Sequence, residues 1–176
     1  ALHSKTGEMK LLGNPMITSN PTFLCKSKDG NNLYTVSEDS TMNRGQLSGS
    51  TRSWNVGTKS GNDSDCNNGV LISSFASGGT DSCYIELNNA ETFAFVSNYT
   101  SGSVAVFPIR PDRSLGPLCS FVQHETKKIL PGPVDDRQDG PHAHQTRYHE
   151  NGNWLYVPDL GLDQIIQYSF KIPFNF

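Results

Sequence analysis

The sequence predicts an all-β protein built of antiparallel meanders, in which consecutive strands pair through short turns. Three observations lead to this fold class. The composition is rich in Gly, Asn, Ser, Thr and Pro, and only 35% of the 176 residues are hydrophobic, which is typical of short strands joined by many turns. A turn followed by an apolar strand recurs three times along the chain. No window of about 11 residues or more carries the apolar periodicity of a helix.

The recurring unit starts with a turn that contains Asp, Asn or Gly and continues into an apolar strand ending on a polar residue. It occupies residues 28–38, 88–98 and 150–159. Aligning Leu33, Phe93 and Leu155 gives offsets of 60 and 62 residues, more than the roughly 40–50 residues usual for one propeller blade. Antiparallel repeats can form propeller blades, barrels or sandwiches, and the pattern alone leaves a two-layer sandwich open.

Two of the repeated strands are followed by a second strand. Residues 99–102 form a turn before the β-branched run 103–109, and residues 160–163 form a turn before the run 164–170. This turn chemistry predicts two antiparallel hairpins. The aromatic residues of the repeated strands are expected to pack between sheets: Phe93, Phe95, Trp154 and Tyr156.

Two stretches are predicted to be irregular. Residues 40–69 are rich in Ser, Gly, Asn, Asp and Thr, which indicates a long surface loop inserted into a single domain that covers residues 1–176. Residues 127–141 are rich in proline and are also interpreted as irregular.

Charge and cysteine content narrow the function classes. The formal net charge is −3 and no basic patch is present, so neither nucleic acid nor a membrane is expected as a partner. Four cysteines occur without CxxC spacing: Cys25, Cys66, Cys83 and Cys119. They are interpreted as free thiols of a cytoplasmic protein. Disulfides in a secreted protein are the alternative, because Asn62 and Asn98 begin glycosylation sequons.

Ordered motifs resemble the seven-bladed β-propeller lactonases, the family of 6-phosphogluconolactonases and carboxymuconate cyclases. The motifs are NYTSGSV at 98–104, RQDGPHAH at 137–144 and DLGLD at 159–163. The run LYTVSE at 33–38 is similar to an earlier family motif that ends in glutamate. The resemblance covers nearly all of the chain outside residues 40–69.

The resemblance implies about three blades of an incomplete seven-bladed propeller. It implies an opening strand before residues 2–12, several further blades after residue 170, and further active-site residues in those blades. Unpaired sheet edges and exposed apolar faces would then make this chain alone unstable or prone to self-association.

Residues 137–144 are the best candidates for chemistry. His142 and His144 lie two residues apart in an extended segment, so their side chains point to the same side. A histidine can act as general base. Arg137 offers a planar cationic fork for a carboxylate, a phosphate or a developing negative charge. The resemblance implies that His144 matches the catalytic histidine of the cyclase branch, with His142 and Arg137 in the same motif.

Four further residues are predicted to contact substrate: Glu38, Asn98, Asp159 and Gln138. The first three end the repeated strands, and equivalent positions of propeller blades face the same end of the central channel. They would contact substrate or order the two histidines. Asn98 and Asp159 fit equally well as strand caps that bond the backbone. The resemblance also implies that Cys83 stands where some relatives supply a histidine.

The predicted function is hydrolysis of an anionic sugar lactone such as 6-phosphogluconolactone, with a histidine base, an arginine anion clamp and no cofactor. One alternative is a lactone-forming carboxy-cis,cis-muconate cyclase, and another is a non-catalytic binding propeller. A zinc site is a further alternative to the prediction that no metal is bound. It would use His142 and His144 with His124, His149 or Asp159 as third ligand.

Overall fold

The computed structural model describes residues 6–9, 11, 14–43, 46–57, 69–125, 132–152 and 154–171. Within these ranges the chain forms eleven strands in three antiparallel sheets. This arrangement confirms the predicted all-β class built of meanders. No helix in the described ranges has the length and apolar character needed to cross a membrane.

Each sheet follows chain order. The first sheet contains β1 (Pro21–Lys26), β2 (Asn32–Asn43), β3 (Gln46–Asn55) and β4 (Val70–Ala76). The second contains β5 (Ser82–Leu87), β6 (Phe93–Asn98), β7 (Ser103–Pro108) and β8 (Ser120–Gln123). The third contains β9 (Arg147–Tyr148), β10 (Trp154–Asp159) and β11 (Gln164–Ser169), with β10 in the centre.

The three repeated segments form β2, β6 and β10, the second strand of each sheet. The predicted hairpins are also confirmed, because β6 pairs with β7 and β10 pairs with β11 across four-residue turns. Gly102 ends the first turn at φ 59° and Asp163 ends the second at φ 53°. Residues with a positive φ, in the left-handed backbone conformation, allow a tight reversal of the chain.

Strand pairing refines the length of the repeat. Ser37 faces Pro21 as Asn98 faces Ser82, and Asn98 and Asp159 each stand directly before a hairpin turn. Ser37, Asn98 and Asp159 are therefore equivalent, with an offset of 61 residues in both cases. The offsets of 60 and 62 obtained from apolar residues were wrong by one.

The predicted surface loop at residues 40–69 is wrong for residues 40–43 and 46–55. β2 continues to Asn43, and β3 pairs with both β2 and β4. Small polar side chains in β3 are buried, and Ser53 is hydrogen-bonded to Ser73 of β4 at 2.7 Å. Small polar residues can occupy a buried sheet when their side chains find hydrogen-bond partners, although their composition is typical of a loop. Residues 58–68 lie outside the described ranges.

The proline-rich stretch 127–141 agrees with prediction where it is described. Residues 132–141 contain turns and bends and no strand, while residues 127–131 lie outside the described ranges. The backbone N–H of Gln138 bonds the carbonyl of Val134 at 2.7 Å and closes one of these turns.

The two central strands of the second sheet, β6 and β7, are buried on both faces. One face shares a core with the first sheet: Tyr34, Val36, Ala94 and Val96. The other face shares a core with the third sheet: Phe93, Phe95, Leu155 and Val157. Alternate residues of β6 thus serve opposite cores, as in stacked blades, whereas a two-layer sandwich leaves one face of each sheet in solvent. Phe93 and Phe95 pack as expected, but Trp154 is 38% exposed.

The first strands of the three sheets lie side by side. β1 packs next to β5, and β5 packs next to β9. The segments that precede and follow these strands therefore meet on one side of the molecule, where the predicted site residues of all three sheets can approach one another.

Candidate active site

An open cavity of about 720 Å³ lies where the three sheets meet. Its wall includes Glu38, Asp81, Cys83, Tyr99, Arg137 and His144, and these six residues are called the cavity wall below. Three of the predicted site residues, Glu38, Arg137 and His144, are thus brought together. They come from the interior of β2 and from the irregular segment before β9.

Glu38 reaches the cavity because it stands one residue beyond the buried Ser37, where the pairing of β2 with β3 shifts register. It is equivalent to Tyr99, which follows Asn98 and also lines the cavity. Asn20 holds the backbone of Glu38 at both polar groups: its carbonyl accepts the N–H at 3.0 Å, and its side chain donates to the carbonyl at 2.7 Å. Equivalent positions of the first two blades thus face the cavity.

His144 is exposed at the wall. Its backbone N–H bonds the carbonyl of Pro158 at 3.0 Å, and its ring meets the ring of Tyr99 edge-on at 5.6 Å. Within the described part of the chain, no hydrogen bond or ion pair involves the side chains of Glu38, Asp81, Arg137 or His144. The polar ends of these four side chains are available to a ligand.

His142 differs from His144. Its ring is buried and stacks on Tyr99 at 4.5 Å. Nδ1 lies 3.0 Å from the carbonyl of Tyr99, and Nε2 lies 2.8 Å from a carboxylate oxygen of Asp139. Both partners are hydrogen-bond acceptors, so each ring nitrogen of His142 is occupied by a group of the protein. The hydrogen bond from His142 lowers the pKa of Asp139.

Both histidines therefore lie against Tyr99, which agrees with side chains that share one side of an extended segment. Only His144 lines the cavity. The two ring nitrogens of His142 have protein partners, so this ring holds Tyr99 and the turn at Asp139 in place.

A buried polar layer lies beneath the wall, formed by Asn98, His124, His142 and Asp159. Asp159 accepts hydrogen bonds from His124 Nδ1 at 2.5 Å and from the backbone N–H of His142 at 2.7 Å. Burial raises the pKa of Asp159, but these hydrogen bonds outweigh burial and leave it below its ordinary value. The carboxylate is thus held ionised inside the fold.

Asn98 and Gln138 are also occupied within the protein. Asn98 accepts from the Ser82 hydroxyl at 2.8 Å and donates to the Ser103 hydroxyl at 3.1 Å. The Gln138 amide donates to the carbonyl of Leu160 at 2.8 Å and to Asp163 at 2.6 Å. The structure does not bring Asn98, Asp159 or Gln138 to the cavity wall, and direct contact of these three with substrate stays a prediction.

Cys83 is the one thiol among the six residues named for the cavity wall. Burial and the charge of Glu38 raise its pKa to about 12, so the thiol stays protonated at neutral pH. Its sulfur lies 3.5 Å from the carbonyl of His144. Cys25, Cys83 and Cys119 are free thiols, as predicted, whereas Cys66 lies outside the described ranges. The buried, hydrogen-bonded side chain of Asn98 speaks against glycosylation there.

Sequence reasoning missed Asp81, Tyr99 and the role of His124. Tyr99 stands inside the NYTSGSV run and Asp81 inside a glycine-rich turn, so both had a local signal. His124 had none, since its partner lies 35 residues away. Across the described ranges, no three His, Cys, Asp or Glu side chains are grouped to hold a metal ion.

Comparison with known proteins identifies the fold family. The family model described as lactonase, seven-bladed β-propeller, matches residues 1–173. The chain belongs to this family. The three sheets are blades of this propeller, and the predicted fold, an incomplete seven-bladed propeller, is confirmed.

Curated relatives carry lactonase names. A 6-phosphogluconolactonase of Bacillus subtilis is 28% identical over 93% of this chain and 43% of its own length. A 6-phosphogluconolactonase of Formosa agariphila is 27% identical over 98% of this chain and 45% of its own length. The chain spans less than half the length of these relatives.

Solved structures agree with this assignment. A Bacteroides fragilis protein superposes with a TM-score of 0.78 at 28% identity, over 95% of this chain and 42% of its own. The periplasmic gluconolactonase of Pseudomonas aeruginosa superposes with a TM-score of 0.71 at 29% identity, over 86% of this chain and 40% of its own. Both alignments cover most of the three blades described above.

Proposed function

We propose that this chain supplies part of the active site of a hydrolase that opens an anionic sugar lactone such as 6-phosphogluconolactone. His144 is the general base and Arg137 holds the anionic group of the substrate. The names of the relatives from B. subtilis and F. agariphila support this substrate class. The name of the P. aeruginosa protein supports sugar-lactone hydrolysis more generally.

The observation that carries the proposal is the division between the two histidines. His144 stands at the cavity wall with no hydrogen bond on its ring within the described residues, next to a wall arginine. A base must reach the proton that it removes and must have a free lone pair. His142 is buried, and protein groups already occupy both of its ring nitrogens.

The chemistry requires one water and no cofactor. His144 accepts a proton from the water while the water oxygen bonds to the lactone carbonyl carbon, and the carbonyl electron pair moves onto oxygen. When the carbonyl re-forms, the ring C–O bond breaks, and the leaving ring oxygen takes the proton back from His144. The product is the open hydroxy acid, and the histidine is neutral again.

Glu38, which shares the wall, is assigned to the substrate hydroxyls, because an unpaired carboxylate accepts hydrogen bonds from them. Asp159 is assigned to positioning, since it accepts the backbone N–H of His142. Asn98 and Gln138 are assigned to ordering the second and third blades, since their amides bond Ser82 and Leu160. Self-association and a cytoplasmic location stay predictions.

The test is the disappearance of 6-phosphogluconolactone above its spontaneous rate, with wild type, His144→Gln and His149→Gln. His149 is an exposed histidine that packs on Tyr156 and is not among the wall residues, so it is the matched control. Loss of a general base is expected to lower kcat by about 10²–10⁴-fold in His144→Gln, with no loss in His149→Gln.

An unchanged rate in His144→Gln would remove His144 from the proposed role. A wild type that leaves every lactone at its spontaneous rate but converts carboxymuconate would replace the proposal with the cyclase alternative. Activity on neither substrate would favour a binding propeller.

A further inference from the structure

His124 makes a buried contact that the mechanism above does not use. Its side chain is 1% exposed and lies at the end of β8, with the ring stacked on Tyr168. Nδ1 is 2.5 Å from Asp159. Nε2 is buried and has no hydrogen-bond partner among the described residues.

The arrangement places a ring proton on Nδ1. Nδ1 faces a carboxylate, which only accepts, so this nitrogen donates to Asp159. Nε2 has no acceptor among the described residues, so the contact with Asp159 is the hydrogen bond by which the ring acts on its surroundings.

We propose that His124 is a positioning residue of the candidate active site: its Nδ1–H fixes the Asp159 carboxylate that holds the backbone of the His142–His144 segment. This inference rests on the proposed function for its kinetic consequence. The contacts themselves are independent of that function.

The connection from His124 to the wall has three hydrogen-bonded steps. Asp159 takes the N–H of His142 at 2.7 Å on the oxygen opposite the one bonded to His124. The carbonyl of His142 takes the N–H of Leu160 at 2.9 Å, and the N–H of His144 bonds Pro158 at 3.0 Å. Backbone hydrogen bonds thus join the segment to the end of β10 on both sides of Asp159. They fix the position of His144 at the wall.

The equivalent position in the second blade shows why a carboxylate is needed. Asn98 there meets two serine hydroxyls, which can donate or accept. Asp159 meets three donors: His124, the N–H of His142 and, at 3.1 Å, the N–H of Leu162. An amide would turn its own NH₂ toward one of those donors, whereas a carboxylate accepts from all three.

The experiment compares His124→Leu, which keeps the bulk and loses the donor, with His124→Asn, whose amide NH₂ takes the place of Nδ1–H. Thr35→Val is the matched control, because it removes the buried acceptor of the Trp54 indole in the first blade. Measurements on the full chain are kcat and KM for the lactone, the midpoint of unfolding, and ¹⁵N spectra of histidine-labelled protein.

Misplacement of a catalytic group by about 1 Å can cost on the order of 100-fold in rate. We therefore expect His124→Leu to lower kcat by about ten- to a hundredfold with KM nearly unchanged, and His124→Asn to recover most of it. Thr35→Val should lower the unfolding midpoint and leave kcat unchanged. The amide signals of His142 and His144 should move in His124→Leu and stay in Thr35→Val.

Three results would overturn the inference. They are a wild-type kcat in His124→Leu, an equal loss in His124→Asn and His124→Leu, and ring shifts showing the proton of His124 on Nε2. A wild type without lactonase activity would reject the proposed function instead. The ring and amide signals would then still decide whether His124 places the segment.

Discussion

The cavity wall and the polar layer beneath it contain the same residue types and use them in opposite ways. The wall presents Glu38, Arg137 and His144 without hydrogen bonds from the described residues. The layer binds Asp159, His124 and His142 to one another or to the backbone. A charged group buried inside the fold requires hydrogen-bond partners from the protein, while a group at an open cavity can bind a ligand instead.

This difference shows how the repeated strands contribute residues to the candidate active site. Ser37, Asn98 and Asp159 occupy one equivalent position and are buried, and the residues that follow the first two, Glu38 and Tyr99, reach the cavity. Neighbouring residues therefore differ in role: the first is buried inside the fold, and the second can contact a ligand. Substitutions in the layer should change stability first, and substitutions in the wall should change activity first.

The largest effect is expected for Asp159→Ala. The change leaves His124 and two backbone N–H groups buried without their acceptor, and each buried donor left unsatisfied costs about 1–3 kcal/mol. The free energy of unfolding in urea measures it. Glu38→Ala removes a wall carboxylate and is the control, with a change within about 0.5 kcal/mol. Equal losses in both variants would erase the distinction between layer and wall.

A smaller effect is expected for Arg137→Ala, now in KM. An arginine that holds the anionic group in both ground and transition states raises KM when it is removed and leaves kcat nearly unchanged. We expect KM for the phosphorylated lactone to rise about ten- to a hundredfold, as for loss of a charge-assisted hydrogen bond. Arg110→Ala, at an exposed site in the second blade, is the control. A KM equal to wild type would contradict the anion clamp.

Much of the fold could be predicted because its signals are local. The turn-and-strand units and both hairpins depend on residues within a few positions of one another. β3 could not be predicted, since Ser50, Thr51 and Ser53 have the composition of a loop and become a strand only between β2 and β4. The partners that satisfy them are remote in sequence.

The site was predictable only in part, for the same reason. Alternation along an extended segment places His142 and His144 on one side, and both do contact Tyr99. Alternation does not predict which of the two histidines is buried, because His142 is held by a carbonyl 43 residues away. The alignment of Leu33 with Phe93 makes Asn98 equivalent to Glu38, whereas strand pairing makes Asn98 equivalent to Ser37.

Acid should remove the stabilisation that the ionised Asp159 gives to the polar layer. The pKa of Asp159 is lowered in the folded protein, so its contribution to stability is complete above the unfolded-state value of about 3.9. That contribution is lost as the pH falls through the lower folded-state pKa. Urea unfolding between pH 6 and pH 3, at about one-unit steps, should show a smaller acid-induced loss in Asp159→Asn than in wild type. Parallel curves would mean that Asp159 is not held ionised by its neighbours.

The smallest effect is expected for Asn98→Asp, which places the third-blade residue in the second blade. The hydroxyls of Ser82 and Ser103 can rotate to donate to both carboxylate oxygens, so the cost should stay near 1 kcal/mol. The reverse change, Asp159→Asn, should destabilise the protein more, because the three groups around Asp159 donate hydrogen bonds and cannot rotate to accept one. His124 can compensate only by moving its proton to Nε2, where no acceptor is found among the described residues. Urea unfolding of the pair decides the point: if Asn98→Asp proves the more costly, then the layer is set by burial of charge and not by the number of donors around each position.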